Sequence, residues 1–227
     1  MFYPTRTVVG AMLEFQDAWS AMEPAMQREP HHRPPVHPVL YIKPANTWRR
    51  HGDAIVLPAD VDAVQVGATL GIAFARTASR VSEAHALEYV AGFCIVNDVT
   101  VPHTSLLRPP MKQKCCDSFC PIGPFVAAAA LGSPDALAIR AYVNGELRQQ
   151  ANTSTLRRKV ARLIADVSEF MSLAPGDLLL VGVPAGAPLA RVGDTVAIEI
   201  DGLGRLENHL QQEAAGAASW CAAPSHR

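Results

Sequence analysis

Short apolar segments separated by turn residues dominate the chain after residue 39. They are rich in β-branched residues, a pattern that predicts strands rather than helices. The predicted strands are Val39–Lys43, Ala54–Pro58, Leu70–Arg76, Ile95–Val101, Ala138–Val143, Leu178–Val183, Thr195–Ile200 and Gly204–Glu207. Asn144-Gly145 directly follows the strand that ends at Val143 and precedes Glu146-Leu147-Arg148, which predicts a tight hairpin, because both residues tolerate positive φ.

Helical periodicity is clearest in Thr155–Leu173. One face of this segment is apolar at the spacing of an α-helix, through Leu156, Val160, Leu163, Ile164, Val167 and Phe170. A strand and a short helix are expected in residues 1–27, and Ser82 can cap a short helix that runs to Val90.

These elements predict an α+β, mostly β fold. A doubly wound sheet is not expected, because helices do not alternate with strands and no GxGxxG loop is present. Residues 1–38 are interpreted as an N-terminal extension that ends in a connector rich in proline and histidine. Residues 39–210 are interpreted as the main domain and 211–227 as a flexible tail.

Composition narrows the class of partner. Of 227 residues, 49% are apolar and the formal charge is −1, so a sizeable core can form and no basic surface for nucleic acid is indicated. No apolar run is long enough for a membrane span. The first ten residues do not resemble a signal peptide and the five cysteines show no disulfide spacing, so we expect a cytoplasmic protein.

Two groups of possible metal ligands have simpler interpretations. Cys115, Cys116 and Cys120 lie close together, but they lack paired CxxC spacing and nearby histidines. The histidines of residues 28–38 are interspersed with four prolines, which favours a solvated connector.

A series of motifs in residues 39–210 resembles the fumarylacetoacetate hydrolase family. The motifs, in order, are Tyr89–Phe93 with Asn97-Asp98, Arg108-Pro109, Lys114–Asp117, Cys120–Pro124, Val143–Glu146, Gln149 with Thr153, Glu169–Met171, Pro175–Asp177, Gly182–Pro184, Gly193-Asp194 and Leu206–Asn208. The segments Ile42–Thr47, Gly67–Thr69 and Lys112–Cys115 are similar to one branch, the N-terminal half or subunit of bifunctional isomerase/decarboxylases of homoprotocatechuate breakdown. The resemblance implies a mixed sheet rolled on itself with a few flanking helices.

The resemblance also implies Mg²⁺ or Mn²⁺ chemistry on 2-oxo acids. In the family a Glu-x-Glu pair and the aspartate of the Asn-Asp motif hold the cation. This chain has Gly67 and Thr69 at the two glutamate positions, and Asp98 is the surviving ligand. One carboxylate is a poor site for a hard divalent cation, so we expect metal binding to be weak or absent.

The family's proposed acid/base pair is altered as well. Where relatives carry Asn-Tyr followed by a histidine and a glutamate, this chain has Glu14-Phe15, Ala18 and Ala21. The general base used elsewhere in the family is then missing.

Several candidate site residues remain. By resemblance Lys114 and Asp98 are catalytic, and with two glutamates gone they are expected to pair directly. Thr153 and Gly182-Val183-Pro184 match substrate-contact segments, and Arg108 is a candidate for a distal substrate carboxylate. The alternatives are a solvated lysine at 114, a turn aspartate at 98 and a structural arginine at 108.

Three functional hypotheses stay open. The first is a subunit of a decarboxylase/isomerase that acts on 5-oxopent-3-ene-1,2,5-tricarboxylate and 2-hydroxyhepta-2,4-diene-1,7-dioate, as a homodimer or a heteromer. The second is a catalytically impaired partner of a metal-bearing paralogue. The third is an acylpyruvate-type hydrolase. The expected partners are a small 2-oxo dicarboxylic or tricarboxylic acid substrate and a second copy or a metal-bearing paralogue, without nucleic acid or membrane.

Overall fold

A computed structural model of the chain describes residues 4, 6–29, 31–103 and 110–214. Its strands are β1 (Val8–Met12), β2 (Val39–Lys43), β3 (Trp48–Arg50), β4 (Ala54–Leu57), β5 (Val64–Gln65), β6 (Ala68–Phe74), β7 (Val90–Asn97), β8 (Cys120–Ala127), β9 (Ala138–Val143), β10 (Glu146–Asn152), β11 (Leu178–Leu180), β12 (Leu189–Ala190), β13 (Thr195–Ile200) and β14 (Gly204–Gln212). The α-helices are α1 (Gln16–Met26), α2 (Met111–Lys114) and α3 (Val160–Ser168). Short 3₁₀ turns cover Ala45–Thr47, Glu83–Tyr89, Ala128–Ala130 and Thr153–Thr155.

The larger sheet has seven strands in the order β2-β1-β11-β6-β7-β8-β3. It is mixed, because β1 and β11 are parallel and β3 and β8 are parallel, while the other neighbours are antiparallel. This sheet curls into a half-barrel, as the rolled mixed sheet predicted from the sequence requires. The predicted α+β, mostly β class is confirmed.

A second sheet covers one face of the first. Its order is β10-β9-β13-β14-β4, and β5 pairs with β12 separately. The main core contains Ile72 and Ile95 of the larger sheet, Ile139 and Ile198 of the smaller sheet, and Leu163 of α3, all at most 1% exposed. Burial of these aliphatic side chains is the main contribution that holds the layers together.

The opposite face of the larger sheet carries a smaller apolar cluster, which includes Val8, Val96 and Leu180. Side chains along β6 alternate between the two faces, as strand geometry requires. Ile72 points into the main core and Ala73 into the smaller cluster. By the same alternation, residues 67 and 69 lie on the side of the smaller cluster, where Asp98 also lies.

Most predicted strands are confirmed, including β2, β9 and β13 with the bounds expected from the sequence. The predicted hairpin is also present, with φ of 53° at Asn144 and 80° at Gly145. The seven-stranded sheet includes β1, which pairs with β2 and β11, so residues 8–12 are part of the same sheet as β6, β7 and β8.

The predicted helix over residues 155–173 is too long. Residues 153–155 form a 3₁₀ turn, Lys159 has extended backbone, and α3 ends at Ser168. Asp135 Oδ1 accepts a hydrogen bond from the Val160 backbone N–H at 2.9 Å, which caps the helix from a distant segment. Phe170 is 66% exposed, so the prediction that it belongs to the buried face is wrong.

Two further predictions from the sequence concern membrane-spanning segments and the C-terminal tail. Within the described part of the chain, no helix has the length and apolar character needed to cross a bilayer. The predicted tail is described only as far as residue 214, and β14 extends to Gln212 at its start.

Candidate functional site

The Asn97-Asp98 motif is fixed at the end of β7 against residue 67. The Asp98 backbone N–H donates to the Gly67 carbonyl at 2.8 Å, and the Gly67 N–H donates to Asn97 Oδ1 at 2.9 Å. Asp98 is 1% exposed. Because a buried carboxylate is stable only with nearby cations or hydrogen-bond donors, its surroundings define the site.

Asp98 is held between two lysines. Lys114 Nζ lies 2.6 Å from Asp98 Oδ2, and Lys43 Nζ lies 2.8 Å from Oδ1. The Tyr41 hydroxyl donates a third contact to Oδ2 at 2.5 Å. Both carboxylate oxygens therefore face an ammonium group, and two cations with one anion leave one positive charge in excess.

Lys114 is buried at the end of α2. Its Nζ also donates to Thr100 Oγ1 at 2.8 Å and lies 4.3 Å from the centre of the Tyr41 ring, a cation–π distance. With 7% exposure it is not the solvated surface lysine of the alternative interpretation. The predicted contact between Lys114 and Asp98 is present.

The charges in this cluster shift one another's pKa values. Burial alone would raise the pKa of Asp98, but the ammonium groups of Lys114 and Lys43 lower it to about 2. Burial lowers the pKa of Lys114; Asp98 opposes that change and Lys43 adds to it. Burial and the Asp98 carboxylate raise the pKa of Tyr41, so its phenol stays protonated and donates to Asp98.

Sequence reasoning missed Lys43 and Tyr41 as members of this cluster. Both lie on β2, whose burial pattern places Tyr41 and Lys43 inward and exposes the residue between them, Ile42. Tyr41 packs over Gly10 of the neighbouring strand, where any Cβ would overlap the tyrosine ring. The signal in the sequence was a lysine two residues after a tyrosine in an otherwise apolar strand.

The residues at this site do not fit the divalent cation that the resemblance implies. A Cβ at Gly67 would lie 2.2 Å from the Asp98 carbonyl oxygen, so this backbone has no room for a side chain there. Thr69 supplies a buried hydroxyl without a hydrogen-bond partner, and it brings no charge. Within the described ranges, no three His, Cys, Asp or Glu side chains converge in a way that could hold a metal ion.

Thr153 and the 182–184 turn have structural contacts. Thr153 is fully buried, and its Oγ1 accepts a hydrogen bond from the Leu137 N–H at 2.8 Å. Gly182 has φ of 98°, and a Cβ there would lie 2.8 Å from the Ala11 carbonyl oxygen. The Pro184 carbonyl accepts from Gln149 Nε2 at 3.3 Å.

The structure gives less information on the predicted substrate contacts of Val183 and Arg108. Val183 is half-buried between Gly182 and Pro184 in the turn that follows β11. Arg108 lies outside the described residues. For Thr153, Val183 and Arg108 alike, the predicted role in substrate binding stays a prediction.

Glu14 is a second buried carboxylate, at the position where relatives are expected to carry asparagine. Its Oε1 lies 2.9 Å from an Arg158 guanidinium nitrogen, and Oε2 is buried without a hydrogen-bond partner. Burial raises the pKa of Glu14, and the charge of Arg158 opposes this. Arg158 also contacts Asp166 of α3, so this ion pair joins the end of β1 to the helix.

The chain matches a known protein family over most of its length. A family model described as fumarylacetoacetate (FAA) hydrolase C-terminal matches residues 7–211. A 4-hydroxyphenylacetate degradation bifunctional isomerase/decarboxylase from Salmonella dublin is 39% identical over 207 residues, which cover 91% of this chain and 47% of that protein. The chain therefore spans about half the length of this curated relative.

Solved structures share the fold over nearly the whole chain. A 2-hydroxyhepta-2,4-diene-1,7-dioate isomerase from Mycobacterium marinum has a TM-score of 0.74 and 30% identity, and the match covers 92% of this chain and 75% of that one. A fumarylpyruvate hydrolase from Pseudomonas aeruginosa, in complex with Mn²⁺ and pyruvate, has a TM-score of 0.82 and 26% identity, with coverages of 94% and 92%.

Proposed function

The chain belongs to the fumarylacetoacetate hydrolase family, and on this premise we propose that it is a subunit of an isomerase/decarboxylase system in aromatic catabolism. The proposed substrates of the whole system are 5-oxopent-3-ene-1,2,5-tricarboxylate and 2-hydroxyhepta-2,4-diene-1,7-dioate. The similarity to the Salmonella dublin isomerase/decarboxylase and to the Mycobacterium marinum isomerase supports this substrate class.

Within this system we assign the chain the role of a partner subunit that does not carry the metal. The observation that carries this assignment is Asp98, whose two oxygens are occupied by Lys43 and Lys114. A divalent cation stabilises an enolate by chelating the oxygens of an oxo acid. An ammonium group cannot chelate two substrate oxygens in this way. In the proposed system, the enolate is therefore stabilised by a relative that retains the Glu-x-Glu pair and its metal.

Lys114 then has an electrostatic role. With 7% exposure against 0% for Lys43, it is the more accessible cation of a cluster with one excess positive charge, and such a site attracts anionic substrates. A carboxylate of a 2-oxo dicarboxylic acid matches this charge. A fold that loses its metal ligands can still associate with a relative, which a partner subunit requires.

Enzyme assays of separate and mixed subunits test the proposed role. We expect the purified chain with Mg²⁺ to leave the absorbance of 2-hydroxyhepta-2,4-diene-1,7-dioate unchanged. Addition of the chain to a metal-bearing relative is expected to raise the relative's turnover and its Tm together. The matched control is the same relative mixed with the Gly67→Ala variant of this chain, in which the added Cβ would clash with the Asp98 backbone.

Two outcomes would contradict the assignment. Turnover by the purified chain alone would show that it has a complete site of its own. A relative whose turnover and Tm are unchanged by the chain would show that the two are not partners.

A further inference from the structure

Lys43 is the most deeply buried charged group next to Asp98. It is 0% exposed and ranks among the largest fully buried side chains of the protein. Removal of an ammonium group from water is unfavourable unless oxygen atoms replace its hydration shell. The structure supplies that replacement.

Four oxygen atoms surround the Lys43 ammonium group. Nζ donates to the carbonyls of Val99 and Lys114 at 2.7 Å and of Phe119 at 2.9 Å, and it lies 2.8 Å from Asp98 Oδ1. The three N–H groups therefore donate to the three carbonyls at distances typical of charge-assisted hydrogen bonds, and the contact with Asp98 Oδ1 is an ion pair. We call these four oxygens the oxygen cage.

The oxygen cage joins segments that are remote in sequence. The three carbonyls lie 56, 71 and 76 residues from Lys43. Val99 follows β7, Lys114 ends α2 and Phe119 precedes β8. One ammonium group thus links α2 to the end of β7, in addition to the Val101 N–H bond to the Gln113 carbonyl.

Both ends of the ion pair between Asp98 and Lys114 are fixed in this way. Lys43 Nζ donates to the main-chain carbonyl of Lys114 and forms an ion pair with Asp98 Oδ1, while Lys114 Nζ contacts Asp98 Oδ2. Without Lys43, α2 loses its link to β2 through this group, and Asp98 loses one of its two cations.

We infer that Lys43 is a positioning residue that acts as the built-in monovalent cation of the site, and that its oxygen cage selects a primary ammonium group. This role of Lys43 in holding the site together does not depend on which reaction the assembly performs. It predicts that a small primary alkylammonium ion will replace the side chain when that side chain is removed.

Chemical rescue of Lys43→Ala provides the test, with n-propylammonium as the probe because it carries the atoms that the substitution deletes. We expect n-propylammonium chloride to raise the Tm of Lys43→Ala by at least about 3 °C, as for a ligand that binds only the folded state. Tetramethylammonium, which has no N–H group, and n-propanol, which has no charge, are expected to leave the Tm unchanged. Wild-type protein and Lys159→Ala, which lacks an exposed lysine, are the matched controls.

NMR of ¹⁵N-lysine protein separates positioning from general stabilisation. In the wild type we expect slowly exchanging ammonium signals for Lys43 and Lys114, with couplings from Lys43 Nζ to the carbonyl carbons of residues 99, 114 and 119. In Lys43→Ala the slow signal of Lys114 is expected to disappear and to return with n-propylammonium.

The inference is overturned if n-propylammonium shifts the Tm of all variants equally or of none. It is also overturned if the Lys114 signal of Lys43→Ala stays slow without the probe. Should Lys43→Ala fail to fold, the wild-type spectrum decides alone, because fast exchange of Lys43 without carbonyl couplings would show that the cage does not hold it.

Discussion

Replacement of Asp98 by alanine is expected to lower the free energy of unfolding by about 3–5 kcal/mol, because it leaves buried ammonium groups without their carboxylate. Lys43 is 0% exposed and Lys114 is 7% exposed, so water cannot readily take over the lost contacts. Urea unfolding followed by circular dichroism measures the change.

Two further variants test the cause of that loss. Asp201→Ala removes an ion pair of similar length, 2.7 Å to Arg140, but at an exposed position, and is expected to cost at most about 1 kcal/mol. Lys114→Met in the Asp98→Ala background removes one of the two buried ammonium groups that have lost their carboxylate. It should recover part of the lost free energy of unfolding. A loss near 1 kcal/mol for Asp98→Ala would contradict the ion cluster.

Acid titration provides a second measure of the same cluster. The pKa of Asp98 is about 2 in the folded protein and 3.8 ordinarily, so the unfolded chain binds the proton first. The stabilisation from Asp98 is therefore complete above about pH 4 and is lost as the pH falls through about 2. Asp98→Ala should lack this part of the acid dependence, which unfolding curves between pH 5 and pH 2 would reveal.

Substitution of Gly67 by alanine is expected to destabilise the protein by about 3 kcal/mol. The added Cβ would lie 2.2 Å from the carbonyl oxygen and 2.8 Å from the carbonyl carbon of Asp98, and backbone atoms cannot rotate away as a side chain can. Thermal and urea unfolding of Gly67→Ala measure this cost.

Gly132→Ala is the matched control. A Cβ at Gly132 has no atom within 4 Å and its backbone φ is not in the left-handed region, so the change is expected to be neutral or slightly stabilising. Equal stabilities of Gly67→Ala and Gly132→Ala would show that the Asp98 backbone is free to move. If that backbone can move, a glutamate side chain could also be accommodated at position 67, which the distances in this structure exclude.

Local patterns in the sequence predicted much of the fold. Strand periodicity identified β9 and β13 with their observed bounds, and the Asn144-Gly145 pair identified the hairpin between β9 and β10. The start of α3 was not predictable in this way. It depends on Asp135, 25 residues earlier, whose side chain caps the Val160 N–H.

The site was predictable only in part, for the same reason. Motif resemblance placed Lys114 and Asp98 in one site, and the loss of carboxylates at Gly67 and Thr69 predicted that the two would pair. The second cation was missed, because Lys43 reaches Asp98 only after β2 is brought to the end of β7, a contact across 55 positions of the chain. A pattern of neighbouring residues cannot predict a contact between residues so far apart in the sequence.

Lys43 and Lys114 take up Asp98, the carboxylate to which the family resemblance assigns a divalent cation. Isothermal titration of the purified protein with MnCl₂ at neutral pH tests this arrangement most directly. We expect heats no larger than those of dilution and no stoichiometric binding. Saturable uptake of one Mn²⁺ per chain, abolished by Asp98→Asn, would contradict it.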